Sequence, residues 1–165
     1  MADDFAEYVV QRHDRLCRTA YLLTRDWAVA EDLVQTSLAK AWAAWRRIEG
    51  DPDRYVYRII VNTHASWWRR RWRGEVPTDA VPEEPVERDF ARTMVDHDAL
   101  WAAIGILSKR QRTVIVLHYF DELTLQQVAD TLGCSLSTVK TQLSRGLARL
   151  RVNPEIQDLQ LEAMR

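Results

Sequence analysis

Residues on one side of the first segment recur at three- and four-residue steps. Phe5, Val9, His13, Leu16, Ala20 and Leu23 share a face at that spacing, which predicts a helix. Asp26 suits the N-cap of a second helix, because a short carboxylate accepts from N–H groups that have no partner in the first turn. There Ala30, Leu33, Val34, Leu38, Ala41, Trp42 and Trp45 form the expected buried stripe. Asp51 followed by Pro52 reads as a cap and a first-turn proline, so a third helix starts near residue 52 and extends through Tyr55, Ile59 and Ile60 towards Trp72. Arg46–Asp51 is the loop between helices two and three.

The pattern resumes near residue 100. Leu100, Ile104 and Leu107 predict a short helix. Ser108 and Gln111 then make a capping box that opens a helix with Val114, Ile115 and Leu117 buried. A second capping box, Thr124 with Gln127, opens a helix that buries Leu125, Val128, Ala129 and Leu132. Gly133 can end that helix in the left-handed conformation, and Ser135 can cap the next. The last helix buries Val139, Leu143, Leu147 and Leu150. At 100° per residue its opposite face carries Ser137, Thr138, Thr141, Ser144 and Arg145, with Lys140 on the flank. A helix, a short turn containing Gly and a helix with a polar-basic outer face make a helix-turn-helix. The first half of its second helix would enter the major groove of DNA. Arg145 suits a guanine edge or a phosphate.

The segment between these halves is EVPTDAVPEEPVERDFARTMVD, residues 75–96, and it holds three of the five prolines. Each proline is excluded from a helix interior by its missing N–H and its ring. Few apolar residues and many charges leave little to bury. The expected fold is therefore all-α, with two small helical domains, 1–74 and 97–152, joined by a flexible acidic linker at 75–96. The tail 153–165, with Ile156, Leu159 and Ala163 at helical spacing, is expected to fray.

Charge sharpens this picture. The net charge of −1 argues against a plain nucleic-acid binder. Yet residues 58–74 carry five Arg and no acid, residues 75–98 carry eight acids against Arg88 and Arg92, and residues 99–151 carry seven bases against three acids. Phosphate attraction acts locally, being screened within roughly 10 Å at 0.1 M salt, so a near-neutral sum can hide two basic footprints. The run HASWWRRRWR interleaves Trp67, Trp68 and Trp72 with arginines, which suits stacking on bases and pairing with phosphates. At least one of Trp67 and Trp68 is expected to be largely buried. The excess of Arg over Lys is read as a mark of a GC-rich genome.

Other chemistry is not indicated. Cys17 and Cys134 are far apart and read as small buried residues. His13 stands one turn before Cys17, but no second pair of ligands completes a metal site. The four His are scattered, and no HExxH, GxSxG or GxxxxGK[ST] pattern occurs. No catalytic residue, metal or cofactor is expected, and His118 near Asp121 reads as helix-end surface. No apolar run approaches the length that spans a bilayer, and the start MADDFAEYVV lacks a signal pattern. These features lead to the expectation of a cytoplasmic protein with no membrane or small-molecule partner.

Taken together, the motifs resemble the extracytoplasmic-function group of RNA polymerase sigma factors, and the SigE-like members of GC-rich bacteria in particular. AEDLVQTSLAKAW (30–42) is similar to the family's core-polymerase-binding helix. YRIIVNTHASWWRRRWR (57–73) is similar to the helix that meets the minus-ten promoter element. LTLQQVADTLGCSLSTVKTQLSRGLARLR (123–151) is similar to the reader of the minus-thirty-five element. The resemblance implies core contacts by Asp32 and Gln35, and by Thr36 where the family often has Glu. It implies minus-ten contacts by Arg46, Arg47, Arg58, Asn62, Arg69, Arg70 and Arg71. Minus-thirty-five contacts would fall to Ser137, Thr138, Lys140, Thr141, Ser144 and Arg145.

The loop Arg46–Asp53 matches the segment that captures a flipped base, although RRIEGDPD departs from the Phe-rich loop common in the family. The strand-separating role of tryptophans in housekeeping sigma factors is not carried over to Trp67 and Trp68, which lie further along the helix. The implied partners are core RNA polymerase and promoter DNA at the nucleoid, and an anti-sigma factor of the kind that holds many relatives. The acidic linker would run through a polymerase channel that otherwise holds nucleic acid. Two rivals stand beside this reading. One is a dimeric helix-turn-helix regulator whose first half is a sensor. The other is a sigma mimic, which usually comes with a receiver domain for which this chain has no room.

Overall fold

In a computed structural model, residues 2–72 and 98–152 are described here, with Arg71, Trp72 and residues 98–100 as backbone only. The linker 75–96 and the tail 153–165 lie outside the described residues. The described elements are helical and fall into two compact units.

The first unit comprises α1 (Ala2–Thr24), α2 (Trp27–Ala44), a short 3-10 turn (Trp45–Arg47) and α3 (Pro52–Trp72). Asp26 opens α2 as expected, its Oδ1 accepting from the Val29 N–H at 3.1 Å. Asp51 opens α3, its Oδ1 accepting from the Asp53 N–H at 3.0 Å. Helix α2 lies between α1 and α3 and packs on both. Ala30, Ser37 and Ala41 on α2 have no exposed surface, and their size lets the neighbouring helices come close. Around them Leu16, Leu23, Leu33, Val34, Val56 and Ile60 fill the core. Burying a side chain of that size is worth about 1.5–3 kcal/mol. A cap is worth about 1 kcal/mol. Packing therefore supplies most of the stability, and the caps fix where each helix begins.

Two expectations are corrected here. His13 sits at the exposed edge of α1, with its ring nitrogens 3.7 and 3.8 Å from Cys17 Sγ, and the buried face runs instead through Leu16, Cys17, Thr19, Ala20, Leu22 and Leu23. Trp42 is 49% exposed, because the core ends at Ala41 and α1 offers it one face of Phe5. Of the pair Trp67 and Trp68, Trp67 keeps the smaller part of its surface exposed, as expected of at least one, and Trp68 is 38% exposed.

The second unit comprises α4 (Asp98–Ile106), α5 (Lys109–Ile115), a π-helical segment (Val116–Phe120), α6 (Leu125–Leu132) and α7 (Leu136–Arg151). Both expected capping boxes are present. Ser108 Oγ accepts from the Gln111 N–H while Gln111 Oε1 accepts from the Ser108 N–H, and Thr124 with Gln127 does the same. Helix α5 does not run on evenly through Leu117. Its ladder widens at Val116–Phe120, where the Asp121 N–H donates to Val116 O at 3.2 Å. The wider turn keeps Val116 and Leu117 in the core and leaves Tyr119 and Phe120 facing water. His118 is not a free helix-end residue: its Nδ1–H donates to Leu123 O at 2.7 Å. Helix α7 packs on both α5 and α6.

Gly146 sits where α7 crosses α5. A Cβ there would come within 2.7 Å of Ile115 Cδ1 and 3.4 Å of Gln111 Cβ. Gly146→Val is expected to destabilise the second unit by more than about 2 kcal/mol through overpacking. Gly146→Ala should cost less, because a helix-propensity gain of about 1 kcal/mol offsets part of the clash. Urea unfolding of the full chain measures both, and equal costs would remove the close crossing as the cause.

Candidate nucleic-acid interface

Helix α7 is aimed by the turn before it. Gly133 takes φ +65°, a left-handed conformation, and Cys134 N–H donates to Ala129 O at 3.1 Å, closing α6. Ser135 Oγ then accepts from the Thr138 N–H at 3.1 Å and starts α7 three residues after α6 ends. Val139 is completely buried against the unit, so the face opposite it points to solvent. Ser137, Lys140, Thr141, Ser144 and Arg145 are exposed there and, with Leu136, line a shallow groove. Thr138 is set apart from the other expected contacts. It is half-buried, and its hydroxyl lies 2.9 Å from Ser135 Oγ, within the cap. Thr141 Oγ1 donates to Ser137 O at 3.0 Å, which leaves its hydroxyl oxygen as an acceptor towards the outside.

On α3, Arg58, Asn62, Ala65 and Arg69 follow at steps of four, three and four, and all four are exposed. At 100° per residue they form one stripe along the helix. Arg70 is exposed beside it, and Trp68 lies on its flank while Trp67 turns towards the bundle. The side chain of Arg71 lies outside the described residues. Lys40 of α2 reaches across to α3, where its ammonium donates to Thr63 Oγ1 at 3.0 Å, next to Asn62. On α2 itself, Asp32 and Gln35 are exposed and Thr36 is half-buried.

The loop between α2 and α3 starts in the Trp45–Arg47 turn and continues to Asp53. Arg46, Arg47, Glu49, Gly50 and Asp51 are exposed and Ile48 is half-buried. A set of contacts at the loop's two ends was not anticipated from the sequence. Tyr8 OH donates to Asp53 Oδ1 at 2.9 Å, and Arg12 Nε lies 3.3 Å from Asp53 Oδ2. Burial above all, then the Asp53 charge and the hydrogen bond to it, pushes the Tyr8 phenol well above its usual pKa and keeps it a donor. Rings of Phe5 and Tyr8 pack on Trp45 with centroids 5.0 and 5.1 Å away. The signal was the placing of Phe5, Tyr8 and Arg12 at steps of three and four on α1.

No group of three or more His, Cys, Asp or Glu side chains that could hold a metal occurs among the described residues. Nor is any helix among them long and apolar enough to cross a membrane.

Residues 9–74 match the family described as sigma-70 region 2, and residues 97–150 match sigma-70, region 4. Over 163 residues the chain is 39% identical to the RNA polymerase sigma-E factor of Streptomyces coelicolor, covering 98% of this chain and 92% of that one. It is 29% identical over 147 residues to the RNA polymerase sigma factor SigV of Bacillus subtilis, covering 86% of each. Its structure is similar to that of the sigma factor RpoE of Bartonella quintana, solved in complex with the anti-sigma factor NepR. That likeness has a TM-score of 0.72 at 26% identity and covers 90% of this chain and 94% of the other.

Gly50 holds φ +84° with open space where a Cβ would stand. Gly50→Ala is therefore expected to cost about 1–2 kcal/mol in backbone strain alone. Gly50→Asn should cost less, since Asn tolerates the left-handed region. Unfolding monitored by tryptophan fluorescence checks the order, and an unchanged midpoint for Gly50→Ala would show that the loop gives way instead.

Proposed function

The chain belongs to the extracytoplasmic-function group of RNA polymerase sigma factors, subunits that direct promoter recognition and transcription initiation and are not enzymes, and from that premise we propose how its two units share the work. The first unit docks on core RNA polymerase through the outer side of α2, with Asp32, Gln35 and Thr36. It meets the minus-ten element with Arg46, Arg47, Arg58, Asn62, Arg69, Arg70 and Arg71. The second unit reads the minus-thirty-five element in the major groove with Ser137, Lys140, Thr141, Ser144 and Arg145. Thr138, half-buried with its hydroxyl beside the Ser135 cap, joins that contact from the edge of the row. The domain limits of this division are 1–74 and 97–152, with 75–96 as the acidic linker.

Two energies of similar size drive the two readers. A good bidentate contact to a base edge discriminates by about 1–3 kcal/mol. Stacking and capture of an unpaired base contribute about 1–3 kcal/mol per base. The second term exists only when the strand is open, so it favours the melted promoter over the duplex. The observation that carries the reading is the exposed stripe Arg58, Asn62 and Arg69 on a unit separate from the helix-turn-helix. A regulator that binds one duplex site has no use for that stripe. The chain would work in the cytoplasm at the nucleoid. An anti-sigma factor fits as a regulator, since the outer side of α2 needed for the polymerase is open to a competitor.

Lys140→Ala with Arg145→Ala is expected to lower transcription that needs the upstream element by about tenfold or more while core binding survives. Run-off transcription beside a core pull-down measures both, and an equal fall in core binding would take the second unit out of promoter reading. Asp32→Ala with Gln35→Ala should weaken core association by about tenfold, as for a lost charge-assisted hydrogen bond, and leave the fold intact. An unchanged affinity for core enzyme would remove that docking surface. The whole division is tested by a pull-down with core RNA polymerase and transcription from a pooled promoter library. No core association, with dimeric binding to a duplex site by the protein alone, would replace it with a conventional regulator.

A further inference from the structure

The loop from Trp45 to Asp53 is held at both ends by one helix. At its start, the Trp45 ring packs against Phe5 and Tyr8 of α1, and Phe5 packs in turn against Trp42, with centroids 5.0 to 5.1 Å apart. At its finish, Asp53 accepts from Tyr8 OH at 2.9 Å and faces Arg12 Nε at 3.3 Å. Tyr8 thus touches both ends, its ring on Trp45 and its hydroxyl on Asp53. Between these anchors Arg46, Arg47, Glu49, Gly50 and Asp51 are exposed.

We propose that α1 is a brace for this loop, with Tyr8 and Arg12 as positioning residues that set how sharply the loop discriminates among captured bases. The proposal rests on the reading that the loop receives an unpaired base. A base that enters a loop with fixed ends meets groups already in place, so the ordering cost is met before binding. A loose loop can shift to fit several bases, which raises affinity for the wrong ones as much as it lowers affinity for the right one. Neither side chain need touch DNA. Tyr8 acts through Trp45 and Asp53, and Arg12 acts through Asp53.

The cluster also explains why Asp53 is positioned as it is. An acid in the first turn of α3 is favoured by the helix N-terminus alone. That preference accounts for a carboxylate at this position but not for a half-buried phenol and a guanidinium converging on it from another helix. Their convergence fixes the start of α3 relative to α1.

The test uses the full chain assembled with core RNA polymerase and a randomised pool of short single-stranded DNA. Enrichment at each position gives the ratio between preferred and disfavoured bases. Tyr8→Phe keeps the ring on Trp45 and removes only the bond to Asp53. Tyr8→Phe and Arg12→Gln are each expected to lower that ratio roughly three- to tenfold, the range for a bond to a charged group shared with a second partner. Binding to core enzyme and to a minus-thirty-five duplex should not change. Tyr8→Phe should add nothing on top of Asp53→Ala, which removes the acceptor of the same bond. Arg47→Ala with Glu49→Ala, inside the loop, serves as the reference. If that reference collapses the ratio while Tyr8→Phe lowers only the melting temperature, the brace is overturned and base capture stands. If the reference also leaves the ratio unchanged, base capture fails and the brace falls with it.

Discussion

The first unit depends on one helix being buried from two sides. Helix α2 can lie between α1 and α3 because Ala30, Ser37 and Ala41 present almost nothing to push the neighbours away. A larger residue at any of them would force the three helices apart, since a packed interior has no spare volume. With α2 so enclosed, only a narrow strip of it reaches water, and Asp32 and Gln35 stand on that strip. The side proposed to meet core RNA polymerase and the side that makes the core are thus back to back on one helix. Lys40, at the margin of the two, ties the strip to α3 through Thr63.

The second unit meets the same constraint by a different route. There α7 keeps one face exposed while its back is pressed on α5, closely enough that a Cβ at Gly146 would have to push Ile115 Cδ1 aside. Val139 anchors the other end of that back face. The exposed row from Ser137 to Arg145 is therefore held by packing behind it and by the Gly133–Ser135 turn before it. None of its side chains is needed to keep the helix in place, which leaves the row free to be chosen for recognition.

Much of this was legible in the sequence because it is local. Caps act over three residues, and Asp26, Ser108, Thr124 and Ser135 all cap as their spacing predicts. The turn at Gly133 and the face of α7 follow from the helical period. What escaped depends on partners far apart in the chain or on a break in the period. Tyr8 and Asp53 are separated by 45 positions, and the spacing of Phe5, Tyr8 and Arg12 on α1 marks a shared face without saying what it meets. Trp42 was expected in the core because its period is right, but a stripe says which way a residue points and not where the neighbouring helix ends. The widened turn at Val116–Phe120 also breaks the period, so His118 was assigned to the surface instead of to its bond with Leu123. On the candidate site, the exposure of Ser137, Lys140, Thr141, Ser144 and Arg145 on α7 follows from the helical period alone. That the Thr138 hydroxyl lies against Ser135 was not legible, because capping and base contact favour the same small hydroxyl residues.

One detail of the second unit bears on how such a chain can vary. The end of α4 is held by guanidinium groups from two other helices. Arg112 donates to the carbonyls of Ile104 and Leu107, at 3.2 and 3.3 Å, and Arg149 to that of Ile106 at 3.1 Å. All three acceptors are main-chain oxygens, which every residue type supplies. At Ile106 the attachment thus makes no demand on the side chain, whereas Ile104 and Leu107 are buried and held by packing as well. Substitutions at Ile106, already half open to water, leave the fastening untouched. Position 106 is thus a place where the surface of α4 can change while the seat of the helix stays.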